Sequence, residues 1–148
     1  MKLTMKTLGL IVAIGLMLAP HPARSEDGKN GLAGLKGTWV RELDGRTYVV
    51  TFNGDKFAII LEFPEGTATA SGTITIDPSK SPKQMDWKFV EATGRGEKMK
   101  GNTAQSIYEF DGETFKFHAA CQQGGRPEKF PDHESVDGNI YLVFKRVR

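Results

Sequence analysis

From Gly37 onward the sequence alternates apolar and polar residues with period two, again and again. In the run "KFAIILEF", Phe57, Ile59, Leu61 and Phe63 share one side, against Lys56, Ala58, Ile60 and Glu62. Successive side chains of a strand point to opposite faces, so each run builds a sheet that is apolar on one face. No long stretch carries apolar residues at i, i+3, i+4 and i+7, which leaves helix a minor part. This pattern restricts the chain to a fold built almost wholly of strands.

Turn chemistry divides the pattern into eight strands: 38–43, 46–52, 55–63, 68–76, 84–92, 103–110, 113–120 and 139–147. Asp44-Gly45, Asn53-Gly54 and Asp111-Gly112 suit tight hairpins between antiparallel neighbours. Sequential strands without intervening helices imply a sandwich or an up-and-down barrel. Eight strands close a barrel whose interior is filled by side chains or holds one small ligand. The expected fold is therefore an all-β, eight-stranded, up-and-down antiparallel barrel in a single domain. Met85, Trp87 and Phe89, then Phe115, Phe117 and Ala119, then Ile140, Leu142 and Phe144 should face inward. Lys116 and His118 should face solvent.

The segment before the barrel has a different character. Lys2 and Lys6 precede the uncharged run "LGLIVAIGLMLA", and Ala23 and Ser25 sit at −3 and −1 of a cut after Ser25. That is a signal-peptide pattern, and the run is shorter than the roughly 18–20 residues that span a bilayer. Residues 1–25 read as a signal peptide, which implies a periplasmic or extracellular location. The alternative is an uncleaved anchor, the one membrane association the sequence suggests. Residues 26–36 read as a polar tether with one helical turn, and 37–148 as the barrel.

Charge follows from that division. The full chain has 20 Lys+Arg and 18 Asp+Glu, and Lys2, Lys6 and Arg24 leave with the signal. The remainder carries 17 basic and 18 acidic residues, a net of −1, so no nucleic-acid partner is implied. One cysteine, Cys121, excludes an internal disulfide.

Two resemblances add to this reading. "GTW" (Gly37, Thr38, Trp39) resembles the Gly-x-Trp start of lipocalins, and "LVFKR" resembles their basic last strand. The likeness implies that Arg146 stacks on Trp39 and closes one barrel end. The ordered set "LKGTW", "ITIDPSKSPKQMD", "IYEFDG", Cys121, "RPEKF" and "FKR" resembles an exported planctomycete-type domain family with a lipocalin-like, calycin-like fold. That family has no assigned activity or ligand, so membership would imply fold and compartment and no chemistry.

The chemistry-bearing residues are few. His133 in "FPDHES" has local acids, but one histidine is a poor metal site. Cys121 has no evident base; it reads as a small thiol near the rim. "TGRGEKMKG" opens no helix and is no dinucleotide site, so its Arg95, Lys98 and Lys100 read as a solvated loop or an anion-attracting rim. No catalytic, metal or cofactor constellation is expected.

Alternating connections place loops 44–45, 64–67, 93–102 and 121–138 at one end, the expected mouth. Loops 53–54, 77–83 and 111–112 fall at a closed floor. The expectation is a non-enzymatic protein binding a small apolar or amphipathic ligand inside the barrel. Phe57, Ile59, Leu61, Trp87, Phe89, Phe115 and Phe117 would line it, with Cys121, Arg126 and Phe130 at the rim. The rival is a filled barrel acting as an envelope or extracellular interaction module. An interior of roughly 300 Å3 or more would suit a whole-ligand site.

Overall fold

The computed structural model describes residues 27–120 and 125–148. Residues 1–25, which read as a signal peptide, and Cys121 lie outside the described residues. Eight strands follow one another in the chain: β1 (Gly37–Leu43), β2 (Arg46–Asn53), β3 (Lys56–Phe63), β4 (Gly66–Asp77), β5 (Lys83–Thr93), β6 (Thr103–Phe110), β7 (Thr114–Ala120) and β8 (Ile140–Arg146). Each pairs antiparallel with the next, and β8 returns to β1, giving a closed up-and-down barrel of lipocalin-like form. The strands lie where the period-two pattern puts them, with ends moved by a residue or two. Asp44 and Gly45 both take positive φ, as a tight hairpin between right-twisted strands requires.

Burial follows the alternation. Phe57, Met85, Trp87, Phe89, Phe115, Phe117, Leu142 and Phe144 are buried in the core, while Lys56, Ala58, Ile60 and Glu62 are exposed. Aromatic rings fill the interior from the floor upward. Phe52 meets Phe115 edge-on at 5.4 Å, and Trp87 lies 5.1 Å from both Phe57 and Phe117. Such pairs contribute roughly 0.5–1.5 kcal/mol each beyond area burial.

The expected tether is a nine-residue helix, α1 (Asp27–Leu35), docked against the floor. Its sequence has three glycines, so propensity alone does not make it a helix. Docking does, because Leu35 is fully buried against the barrel core. Gly34 permits the close approach: a Cβ there would sit 2.8 Å from Phe110. Low propensity and short length explain why only one turn was readable.

One expectation about the barrel's outer wall is corrected. His118 does not face open solvent; it is 9% exposed, and its Nδ1 lies 3.0 Å from the Lys129 carbonyl. The cause is the 125–136 segment, which crosses the outer wall as a strap over β6, β7 and β8. Ile107 and Tyr141, both on outward-facing positions, are buried under it with His118. Period two tells which face a residue is on, and says nothing of a loop that later covers that face.

Candidate functional site

The floor is shut by one side chain. Gly37 begins β1 and Arg146 ends β8, so the closing seam brings both to this end. The Arg146 guanidinium lies 4.2 Å from the Trp39 ring centroid. Its Nε donates to the Gly112 carbonyl at 2.8 Å, Nη1 to Lys36 at 2.8 Å and Nη2 to Gly34 at 2.7 Å. One cation thus ties α1, the 111–112 turn and the start of β1 together. Trp39 is fully buried, and its indole N–H donates to the Leu35 carbonyl at 2.8 Å. Gly37 has φ +127, and a Cβ there would sit 3.0 Å from Arg146 Nη1. The Gly-x-Trp and Lys-Arg signatures therefore build a plug.

The 77–83 loop belongs to this floor. Asp77 Oδ1 accepts from the Ser79 N–H, and the Ser79 hydroxyl hydrogen bond is the largest cause that holds its carboxyl below the usual value. Tyr108, nearby and buried, is pushed up to about 12, first by burial and then by the negative charge of Asp77.

The other end is not filled. A cavity of about 90 Å3 lies between β2, β3, β4, β5, β6, β7 and β8, bounded at the mouth by Gly96 and Met99. Ile59, Leu61, Trp87, Phe89 and Phe117 line it, as do Leu142 and Phe144. Ile59, Leu61, Met99, Ala104 and Ile140 around it are partly exposed, so the apolar wall reaches solvent. The one donor of Trp87 points elsewhere: its indole N–H donates to Ser106 Oγ at 3.0 Å, and Ser106 donates onward to the Met85 carbonyl at 2.7 Å. The cavity can accept hydrocarbon and offers little to a polar group.

Phe57 and Phe115 do not line this cavity; they belong to the packed interior below, with Phe57 5.4 Å from Phe89. Arg126 and Phe130 are not at the mouth either. Arg126 lies on the outer wall, where Nη1 donates to the Ser106 carbonyl at 2.7 Å and Nη2 forms an ion pair with Asp86 at 2.7 Å. Phe130 packs on Tyr141 at 5.7 Å with the Lys116 ammonium 4.4 Å from its ring. "RPEKF" is thus a strap that packs on its own barrel. Its loop begins at the rim, but apolar and charged partners on the wall draw it down.

Sequence reasoning missed Met99. The "TGRGEKMKGN" run forms a 3-10 helix, Gly94–Met99, beside the mouth, and Met99 packs against the core. Its single apolar residue in a charged run was the available signal. The rim is cationic and aromatic: Arg46 and Arg95 each lie 5.5 Å from the Phe63 ring, and Arg95 pairs with Glu65 at 2.7 Å. These exposed contacts contribute little. Among the described residues no cluster of His, Cys, Asp and Glu could hold a metal ion. Searches of protein-family models, curated proteins and solved structures find no match to this chain.

Proposed function

We propose that this is an exported, non-enzymatic binding protein that takes the apolar end of a small hydrophobic or amphipathic molecule into the mouth cavity. One observation carries the reading. A barrel packed with aromatic rings at its floor leaves an apolar void at its other end. The mouth void is lined by apolar side chains and reaches solvent, so water inside it finds few polar partners, and a larger apolar side chain at Ala70 or Ala104, or an apolar ligand, would remove that surface from water. Such a void favours an occupant. The volume is below the roughly 300–1,000 Å3 of a whole-ligand pocket, so the ligand enters by one end only.

The test is a titration of the mature protein with N-phenyl-1-naphthylamine and with saturated fatty acids, read by tryptophan emission. Trp87 borders the cavity and Trp39 does not. The expected result is a saturable change and a raised melting temperature, both lost in Ala104→Phe, whose own melting temperature is unchanged or higher. No saturable response, with no thermal shift at saturating ligand, would leave the rival reading of a filled interaction module.

A further inference from the structure

Around most of the barrel, neighbouring strands pair along nearly their full lengths. The β1–β8 seam is different. Within it the register holds only Trp39 with Arg146 and Val40 with Lys145, at the floor end. Above Val40 the two strands part. The strap occupies the edge of β8 that β1 leaves. Ser135 and Tyr141 exchange both backbone bonds, at 3.0 and 2.8 Å. Glu134 Oε2 accepts the Val143 N–H at 2.9 Å, where a carbonyl of β1 would otherwise stand.

The same carboxylate holds β1. Arg41 Nε donates to Glu134 Oε2 at 2.8 Å, and Nη2 contacts Oε1. Arg41 is two residues beyond Trp39, on the inward-facing side of β1, and it pairs in register with Tyr48, a residue of the cavity wall. In an apolar barrel its charge has no internal partner, and its guanidinium reaches Glu134 of the strap instead. On the other side of the seam, Ile140 and Leu142 of β8 are cavity residues too. A side-chain clasp therefore stands where the rest of the wall has a ladder, and it stands beside the void.

Taking the cavity as the binding site proposed above, we infer that the upper β1–β8 seam is the route by which an apolar ligand reaches it, with Glu134 and Ser135 as the removable stop. The wall opens there by releasing one ion pair, a two-bond bridge and the Val143 N–H bond to Glu134, with no strand ladder broken. Lateral opening along β1–β2, β2–β3, β3–β4, β6–β7 or β7–β8 breaks a continuous ladder; β4–β5 carries a bulge at Ser71/Gly72, and above Lys88 the β5–β6 seam is held by Phe89 bonds to Gly101 and Asn102. The 94–99 helix and Met99 stand at the open end itself.

Arg41→Met tests this, because it leaves Glu134 able to accept from Val143 yet unties β1. Amide exchange should quicken about tenfold at Tyr141 and Val143, the loss expected for one charge-assisted hydrogen bond, and stay unchanged at Lys145 and Val147. In stopped-flow mixing with N-phenyl-1-naphthylamine, association and dissociation should both quicken by about tenfold, with Kd held within about twofold. Glu134→Gln, which keeps the acceptor and loses the charge, should act in the same direction. Unchanged exchange at Tyr141 and Val143 in both variants overturns the inference. So does acceleration of binding by Met99→Ala and not by Arg41→Met. If the wild-type protein binds no probe, the binding reading fails by itself, and amide exchange still decides whether the seam opens.

Discussion

At the floor, one guanidinium donates to three backbone carbonyls and stacks on a fully buried tryptophan. At the mouth, two guanidiniums flank an exposed-rim phenylalanine, and a short 3-10 helix stands beside an apolar void. Both ends use arginine and aromatic rings. They differ in what the donors find. Arg146 donates to carbonyls where helix, turn and strand converge, two of the bonds part-buried and the one to Lys36 exposed, so together they contribute roughly 1.5–3 kcal/mol. Arg95 meets an exposed Glu65, a pairing that contributes roughly 0–1 kcal/mol. The floor is where the fold invests its stability, and the mouth is where it leaves surface free.

The largest effect should come from Arg146→Met. It removes three hydrogen bonds and the stack on Trp39, and the expected loss is about 3 kcal/mol in urea unfolding. A loss below about 1 kcal/mol would mean that α1 and the 111–112 turn hold the floor without it, and the contrast between the ends would collapse. Gly37→Ala should cost less, about 1–2 kcal/mol, from its φ of +127 and the crowding of Arg146 Nη1. If Gly37→Ala is neutral, the guanidinium moves freely and the plug is looser than its geometry implies.

The stack in the plug was legible in the sequence, and its counterparts elsewhere were not. The likeness of Gly37, Trp39 and the basic last strand to lipocalins implied the stack of Arg146 on Trp39, while its bonds to Gly112, Lys36 and Gly34 had no sequence signal. The alternating runs likewise gave the inward faces of β3, β5, β7 and β8. What escaped was contact across long separations on the outside. Arg41 and Glu134 are 93 residues apart, and neither stands out in its own neighbourhood. His118 read as solvated because alternation cannot foresee a strap laid over the outer wall. Loop order fixes where a loop starts and not where it packs, so Arg126 and Phe130 read as rim residues although they pack on the outer wall. Met99 was hidden among charges, and α1 among glycines.

The mouth should answer mutation in the opposite way. Met99 is partly exposed and packs at one edge of the core, so Met99→Ala should change stability by less than about 1 kcal/mol. Its effect should appear in apolar-probe binding, as a change in affinity measured by tryptophan emission. A large thermal loss with unchanged binding would reverse the assignment of roles to the two ends.

The last effect should be confined to alkaline pH and to the floor. Tyr108 ionises at about 12 in the folded protein against an ordinary value of 10.0, because burial and then the charge of Asp77 disfavour the phenolate. Below pH 10 the hydroxyl is neutral in both folded and unfolded chains, and its contribution is fully present. Between pH 10 and about 12 the unfolded chain loses this proton while the folded chain keeps it, so stability falls as pH rises across that window. Tyr108→Phe removes the group and should give a shallower decline in melting temperature over the same range. Lysines titrate there in both proteins, so the difference between the two slopes is the measurement. Equal slopes would show that Tyr108 reaches solvent at the floor, and the seal made by α1 and Arg146 would then be incomplete on the side of β6.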